Sequence, residues 1–245
     1  MSAAFVAAVA AVFVAGSVSG LAGFGFALVG VPLLLLVYDP VTVIAVNAFL
    51  AVFVNATVVL DARRSVEART VGSLLLPASV GVVAGVEILR VLDPLYIRLA
   101  VGVVVVISAL VLARDVRLPG ADSRWASTVA GSLSGLLSTS TGLAGPPVVL
   151  LFAARGLPKH SFRGNIATYF LVISVAGLGL LLFRGVAETG HLPLAAALLP
   201  AVFVGKVAGT ALLKRMSEEV FRRVTLAVVA LTGALGAVTA AYALL

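Results

Sequence analysis

The feature that most constrains this chain is a succession of eight long apolar runs that carry almost no charge. The runs cover roughly residues 3–37, 41–60, 70–92, 95–113, 125–154, 162–183, 192–213 and 220–245. Most are near the ~20 residues that a helix needs to cross the hydrocarbon core of a bilayer. Because 62% of the 245 residues are hydrophobic and only 11% are charged, a soluble domain of this length cannot bury the apolar surface. We therefore predict an all-α polytopic membrane protein.

The remaining composition excludes several kinds of site. The formal net charge is +7, but the basic residues fall in short clusters between apolar runs, which is typical of cytoplasmic loops and not of a nucleic-acid-binding stripe. The chain has no cysteine, and its two histidines, His160 and His191, lie at segment ends without a metal-ligand spacing. No hydrolase triad or HExxH motif stands within the runs. We expect no catalytic residue, metal or cofactor, and we expect the N-terminal run to be retained because no basic region precedes it.

The first and fifth runs differ from the others because small and polar residues interrupt them near their middle. The first contains SVSGLAGFG and the fifth contains SLSGLLSTSTGLAGPP. Each run is roughly 30 to 35 residues long. At a rise of about 1.5 Å per residue, we expect each half to be too short for a comfortable full span. The two runs therefore predict broken or re-entrant helices.

The two interrupted runs are copies of each other. Residues 15–32, AGSVSGLAGFGFALVGVP, match residues 130–147, AGSLSGLLSTSTGLAGPP, at nine of 18 positions without a gap. After small insertions the likeness continues, pairing Asn47 with Asn165, Gly81 and Gly85 with Gly205 and Gly209, and Arg98 with Arg222. The chain is therefore predicted to be a tandem duplication.

Basic residues decide between parallel and inverted repeats. If each interrupted run enters and leaves on one face, four loops share a side and carry thirteen Lys and Arg residues against three opposite. Those loops are residues 61–70, 114–124, 155–163 and 214–223. If each interrupted run crosses only once, the split is seven against nine and favours neither orientation. The positive-inside rule thus favours inverted repeats.

We accordingly predict a first transmembrane repeat over residues 1–114, a cytoplasmic linker over 115–124 and a second transmembrane repeat over 125–245, with both termini outside. Each repeat is a broken or re-entrant helical hairpin followed by three transmembrane helices. Inverted repeats with broken helices are a recurring plan of secondary transporters, in which half-helix ends meet near the midplane. The alternative is that the glycines only allow close helix packing, as small-xxx-small motifs do.

The segments SGLAGFGFALVGVPLLLL and SGLLSTSTGLAGPPVVLLFAARGLPKHSFRGNIATYFL resemble the paired signature segments of the TauE/SafE family. The resemblance implies a carrier in a bacterial or archaeal plasma (inner) membrane, without an ATPase domain of its own, for sulfite, organosulfonates and related small anions. The family typically carries a run of glycines after SGL in both repeats. This chain departs from that pattern with GFGF at 23–26 and STST at 138–141, so another oxyanion or a carboxylate stays open as substrate.

Both interruptions offer hydrogen-bond donors, which an anion near the bilayer centre needs to replace its hydration. In the second repeat, Gly142, Gly145 and the following proline pair predict a fresh helix whose free N–H groups attract negative charge. The predicted ligands there are Ser138, Thr139, Ser140, Thr141 and Gly142. In the first repeat they are Ser19, Gly23, Phe24 and Gly25. The alternative for the hydroxyls is a bond back to their own helices.

Three further polar residues are predicted at the substrate site. Asn47 and Asn165 follow the interruptions in the two repeats and are expected to face inward, either bracing the hairpin tip or touching substrate. Lys206 stands alone about seven residues from the cytoplasmic end of its run, where its repeat partner is Val82. It predicts an anion ligand or gate, with snorkelling to the interface as the alternative. Glu87, three residues before Arg90, predicts a helical ion pair or a proton-coupling carboxylate.

The function predicted from the sequence is secondary transport of a small anion across the membrane by alternating access. A passive anion channel on the same scaffold and a non-transporting membrane assembly factor are the alternatives. Besides the anionic substrate and the lipid bilayer, the expected partners are coupling protons, since no cluster of carboxylates that would bind Na⁺ stands out. A homodimer is one assembly that the sequence permits.

Overall fold

The computed structural model describes residues 2–113 and 120–213, and within these ranges the chain is built from nine α-helices and two short 3-10 turns without a strand. The helices are α1 (Ala3–Ala22), α2 (Phe26–Leu34), α3 (Pro40–Ala62), α4 (Ala68–Val91), α5 (Pro94–Ala113), α6 (Arg124–Ser140), α7 (Gly145–Ala154), α8 (Lys159–Phe183) and α9 (Leu192–Leu213). Five of them are long and apolar enough to cross a membrane, namely α1, α3, α4, α8 and α9. The predicted all-α polytopic membrane fold is confirmed, and the last predicted run, 220–245, lies outside the described residues.

The two interrupted runs break off-centre. Helix α1 has 20 residues and α6 has 17, whereas α2 has 9 and α7 has 10. At about 1.5 Å per residue, α1 is about 30 Å long and α6 about 25 Å. The expectation that each half is too short for a span is therefore wrong for α1, which is among the five candidate spans, whereas α6 is not. The helices continue through the small residues and stop only near a left-handed glycine, Gly23 with φ 80° and Gly142 with φ 77°.

Helices α6 and α7 form a hairpin that begins and ends at one end of the molecule. Arg155, which follows α7, donates from Nε to the carbonyl of Ala121 just before α6 at 2.9 Å. The α7–α8 connection lies beside the α3–α4 connection, since the Glu67 amide donates to Asn165 Oδ1 at 2.6 Å. We call this the α3–α4 end.

Helices α1 and α2 form a second hairpin at the opposite end, which we call the α4–α5 end. Near the start of α5, Arg98 donates to the carbonyls of Leu35 and Tyr38, which follow α2. Glu87 in the last turns of α4 pairs with Arg90 at 2.9 Å, as predicted, and with Arg184 after α8 at 3.0 Å. The two hairpins therefore enter the molecule from opposite ends.

Each hairpin packs its long helix against a helix from the other half of the chain. Helix α1 runs parallel to α9, and α4 runs parallel to α6, through glycines that bring the backbones together. A Cβ at Gly20 would lie 2.2 Å from Lys206 O, and one at Gly209 would lie 1.9 Å from Ser17 O. Side chains are excluded at eight such positions, which are the ones that the internal alignment pairs: Gly16 with Gly131, Gly20 with Gly135, Gly81 with Gly205 and Gly85 with Gly209. Helices α3 and α8 pack on each other between these two pairs.

Candidate functional site

A cavity with an open mouth lies between the two helix breaks. The first break and α2 contribute Ser19 and residues 24–28 to its wall. The second break contributes Ser138, Thr139, Gly142, Ala144 and Gly145. The rest of the wall comes from α3 and α8. Both breaks therefore face one space.

The predicted site residues divide into two groups around this cavity. Seven of the twelve line it: Ser19, Phe24, Gly25, Asn47, Ser138, Thr139 and Gly142. The other five lie outside its lining: Gly23, Ser140, Thr141, Asn165 and Lys206. The division follows from how each side chain is held locally.

The four hydroxyls of the STST segment are held in different ways. Ser140 and Thr141 each donate to a carbonyl one turn earlier in α6 at 2.8 Å, which is the back-bonding alternative. Thr139 donates to Val82 O on α4 at 2.9 Å and thereby ties the tip of the hairpin to that helix. Ser138 makes no side-chain hydrogen bond to the described residues. Ser138 is therefore the hydroxyl of this segment that remains available to a ligand.

The start of α2 presents backbone donors to the cavity. Gly25, with φ 95°, is its N-cap, and the first helical bond runs from the Val29 amide to Gly25 O at 3.1 Å. The amides of Phe26, Ala27 and Leu28 thus have no intrahelical acceptor, and all three residues line the cavity. The positive end of the helix dipole and these N–H groups favour negative charge at this point.

The start of α7 presents fewer donors. The fresh helix predicted at Gly145 is confirmed, with Pro146 and Pro147 in its first turn. Because proline has no backbone N–H, two of the orphan donors of this helix end are missing. The carbonyl of Ala144 accepts a bond from the Ser134 hydroxyl. The two helix starts are therefore unequal, and α2 is the better anion-binding end.

The two repeat-related asparagines have different surroundings. Asn47 is 5% exposed, lines the cavity and donates from Nδ2 to Gly142 O at 3.2 Å. Asn165 is fully buried, and its Oδ1 accepts the Glu67 amide outside the cavity. Asn47 therefore braces the second break while facing the cavity, and Asn165 braces the α3–α4 connection.

Lys206 is buried and paired with a carboxylate. The whole residue is 8% exposed, and its Nζ donates to Asp61 Oδ2 at 2.9 Å. Beside this pair, Arg163 Nη2 and Thr210 Oγ1 each donate to Gly20 O at 3.2 Å. These contacts tie α3, α8 and α9 to the end of α1 on the α3–α4 side of the first break.

Gly23 fits into this arrangement because it has no side chain. A Cβ there would lie 2.6 Å from Arg163 Cγ, and its φ of 80° disfavours any other residue. Next to it, the ring of Phe24 lines the cavity and meets Phe162 edge-on, with ring centroids 6.1 Å apart. Phe162 in turn meets Phe152 at 6.4 Å. This aromatic cluster of three rings lies between the cavity and the α3–α4 end.

Several cavity residues were not predicted from the sequence. On α8 they are Phe170, Ser174, Gly177 and Leu181, and on α3 they are Ala48 and Ala51. Both sets recur at helical spacing, so each forms one face of its helix. On α3 the signal was present, because counting one and two turns forward from Asn47 reaches Ala51 and Asn55. On α8 the repeat-related Asn165 lies on a different face, so the same count does not find the wall.

A comparison with known proteins identifies one family. Residues 8–235 match the family described as Sulfite exporter TauE/SafE, which is most of the chain. Neither a curated protein nor a solved structure matches the chain significantly.

Proposed function

Because this chain belongs to the TauE/SafE sulfite exporter family of membrane transporters, we propose that it moves a small anion by alternating access. The substrate class is sulfite, an organosulfonate or a related oxyanion or carboxylate. The observation that carries the proposal is the cavity bounded by both helix breaks. Broken backbone at membrane depth is tolerated where it lines such a space, and half-helix starts there are suited to anionic groups.

Ion pairs at both ends of the molecule support a mechanism in which the two halves move against each other. At the α3–α4 end, Asp61 of the first half pairs with Lys206 of the second. At the α4–α5 end, Glu87 of the first half pairs with Arg184 of the second at 3.0 Å. In this proposal each pair separates when its own end opens. The aromatic cluster of Phe24, Phe162 and Phe152 adds an apolar barrier at the α3–α4 end.

The proposed topology places the α3–α4 end in the cytoplasm of a bacterial or archaeal cell. Arg63, Arg64, Arg69, Arg124, Arg155 and Arg163 belong to that end among the described residues, which follows the positive-inside rule. Repeats over 1–114 and 125–245 with inverted orientation, joined by a linker over 115–124, are supported by the hairpins that enter from opposite ends. Helix α6 begins at Arg124, one residue before the proposed repeat. Both termini then lie outside.

Proton coupling and a homodimeric assembly complete the proposal. In the described part of the chain, no group of three or more His, Cys, Asp or Glu residues could hold a metal ion. We propose a proton as the coupling ion, because a carboxylate that joins the two halves can take one up. Asp61 and Glu87, which bridge the two halves, are the carboxylates best placed to respond to it.

The test is sulfite flux into liposomes that contain the purified protein, with Ser138→Ala compared with Ser140→Ala. A hydrogen bond to a charged ligand is worth enough for roughly a tenfold loss of flux in Ser138→Ala. Ser140→Ala is the matched control, since its hydroxyl bonds within α6, and it should stay within about twofold of the wild type. Equal loss in both variants would contradict the role of the cavity.

The same preparation separates the alternatives. A passive channel would give single-channel currents in planar bilayers, which a carrier is too slow to produce. An assembly factor would show neither flux nor stabilisation by sulfite, sulfate, thiosulfate, sulfonates or short carboxylates in a thermal-shift assay. If none of these anions produces a response, the transporter proposal is overturned.

A further inference from the structure

The cavity wall has no charged side chain among the lining residues that the structure describes. Lys206 and Arg163 face Asp61 and the Gly20 carbonyl instead. A group with two negative charges would thus lose its hydration without a full charge to replace it. One negative charge is within the capacity of a helix start and a few hydroxyls.

The donors and the acceptor of the wall come from different elements. The amides of Phe26, Ala27 and Leu28, which have no acceptor within α2, are suited to an anionic group, and so is the Ser138 hydroxyl. Asn47 supplies the opposite chemistry. Its Nδ2 is engaged by Gly142 O, and because a carbonyl can only accept, this bond fixes which atom of the amide is the oxygen.

The remaining atom, Asn47 Oδ1, is buried and has no hydrogen-bond partner among the described residues. A buried acceptor is expected to have a donor, and an anion that consists only of acceptors cannot supply one. Asn55 lies on the same wall, about two helical turns after Asn47. It differs because its Nδ2 donates to Ala51 O at 2.8 Å within its own helix. The unpartnered acceptor therefore points to a donor on the ligand.

On the premise of the proposed function, we infer that the substrate is a singly charged anion that also carries an O–H or N–H donor. The charged group lies at the start of α2, and the donor is received by Asn47 Oδ1. Hydroxy-substituted sulfonates and carboxylates, and hydrogen oxyanions, belong to this class. Dianions and plain alkyl sulfonates do not.

The experiment is isothermal titration of the purified full-length protein with two matched ligand pairs. The pairs are ethanesulfonate with 2-hydroxyethanesulfonate and propanoate with 3-hydroxypropanoate, and ethane-1,2-disulfonate represents a dianion. The wild type should bind the hydroxylated member of at least one pair roughly tenfold more tightly than the plain member. The disulfonate should bind more weakly than either monosulfonate.

Asn47→Ala should remove this preference, so that the hydroxylated and plain members of each pair bind with affinities within about twofold of each other. Asn165→Ala, the repeat-related residue outside the cavity, should keep the preference. A purely bracing role for Asn47 would lower both affinities together, which contradicts the inference. If Asn47→Ala does not fold, the wild-type comparison alone decides.

The outcomes for the inference and for the proposed function differ. Equal binding of both members of each pair, or tighter binding of the disulfonate, overturns the inference and leaves an anion transporter. Absence of binding by all five ligands overturns the inference, and the proposed function is overturned only if sulfite flux is absent as well.

Discussion

Lys206 Nζ lies 2.9 Å from Asp61 Oδ2, and this contact joins α9 to α3 across 145 residues of chain. The two partners differ in burial, since the Lys206 side chain is 10% exposed and the Asp61 side chain 52%. The ammonium group therefore depends on the carboxylate more than the carboxylate depends on it.

This difference predicts unequal effects of neutralising the two partners. Asp61→Asn should lower the free energy of unfolding by about 1–3 kcal/mol, because it leaves a buried cation without its counter-charge. Lys206→Met should stay within about 1 kcal/mol, because an apolar chain of similar size replaces the cation. Thermal unfolding in one detergent measures both, with the exposed Arg64→Gln as control. Greater destabilisation by Lys206→Met would contradict the assignment.

The glycine contacts predict opposite effects of one substitution at two places on α4. In Gly85→Ala the new Cβ would lie 2.3 Å from Leu136 O, so the α4–α6 pair must separate, at a cost of about 1–3 kcal/mol. In Gly72→Ala the Cβ meets nothing within 4 Å, so the helix should gain about 0.5–1 kcal/mol. Gly209→Ala on α9 should resemble Gly85→Ala. The measurement is the melting temperature, and a rise for Gly85→Ala would refute the close packing.

Because the sequence contains no cysteine, a single introduced cysteine can be labelled selectively to probe the cavity. A single cysteine in Ser174→Cys lies on the cavity wall, whereas Ser73→Cys lies on an exposed face of α4. Saturating 2-hydroxyethanesulfonate should slow the reaction of Ser174→Cys with N-ethylmaleimide by roughly fivefold or more. The rate for Ser73→Cys should not change. Protection of both positions would indicate a general conformational change and not occupancy of the cavity.

The N-cap of α3 predicts a pH dependence of stability. Burial raises the pKa of Asp39, but hydrogen bonds from the Thr42 side chain and backbone outweigh it, so the pKa lies below its usual 3.8. The stabilisation is present above pH 3.8 and is lost as the pH falls through the lower folded-state pKa. Asp39→Asn keeps the cap but removes the charge, so it should cost about 0.3–1 kcal/mol at pH 7. Unfolding at pH 7 and near pH 3 checks this, and a difference that does not shrink in acid would contradict it.

The sequence was most informative where backbone chemistry decides the structure. The start of α7 at Gly145 could be predicted because a Gly-Pro-Pro segment suits a first helical turn. The length of α1 could not, because Ser17, Ser19 and Gly20 read as interruptions but continue the helix to Ala22. Tertiary packing of the glycine face on α9 supplies what helix propensity lacks there.

In the candidate site, too, the sequence alone does not determine which individual side chains face the cavity. Successive residues of a helix point about 100° apart. Whether Ser138 or Ser140 meets the cavity depends on the rotation of α6, which is fixed by the contact of Gly131 and Gly135 with α4. The ion-pair partner of Lys206 could not be predicted either, because Asp61 lies 145 residues away in the sequence.

The crosswise packing of the two halves sets an order of events during synthesis. Thr139 meets Val82 across 57 residues, so the α4–α6 pair can assemble while the ribosome is still extending the chain. Gly20 meets Thr210 only 190 residues later, so the glycine face of α1 waits in the bilayer without its partner until α9 has been inserted. A nascent chain halted after α8 would therefore hold α1 against α2 but leave its glycine face without α9.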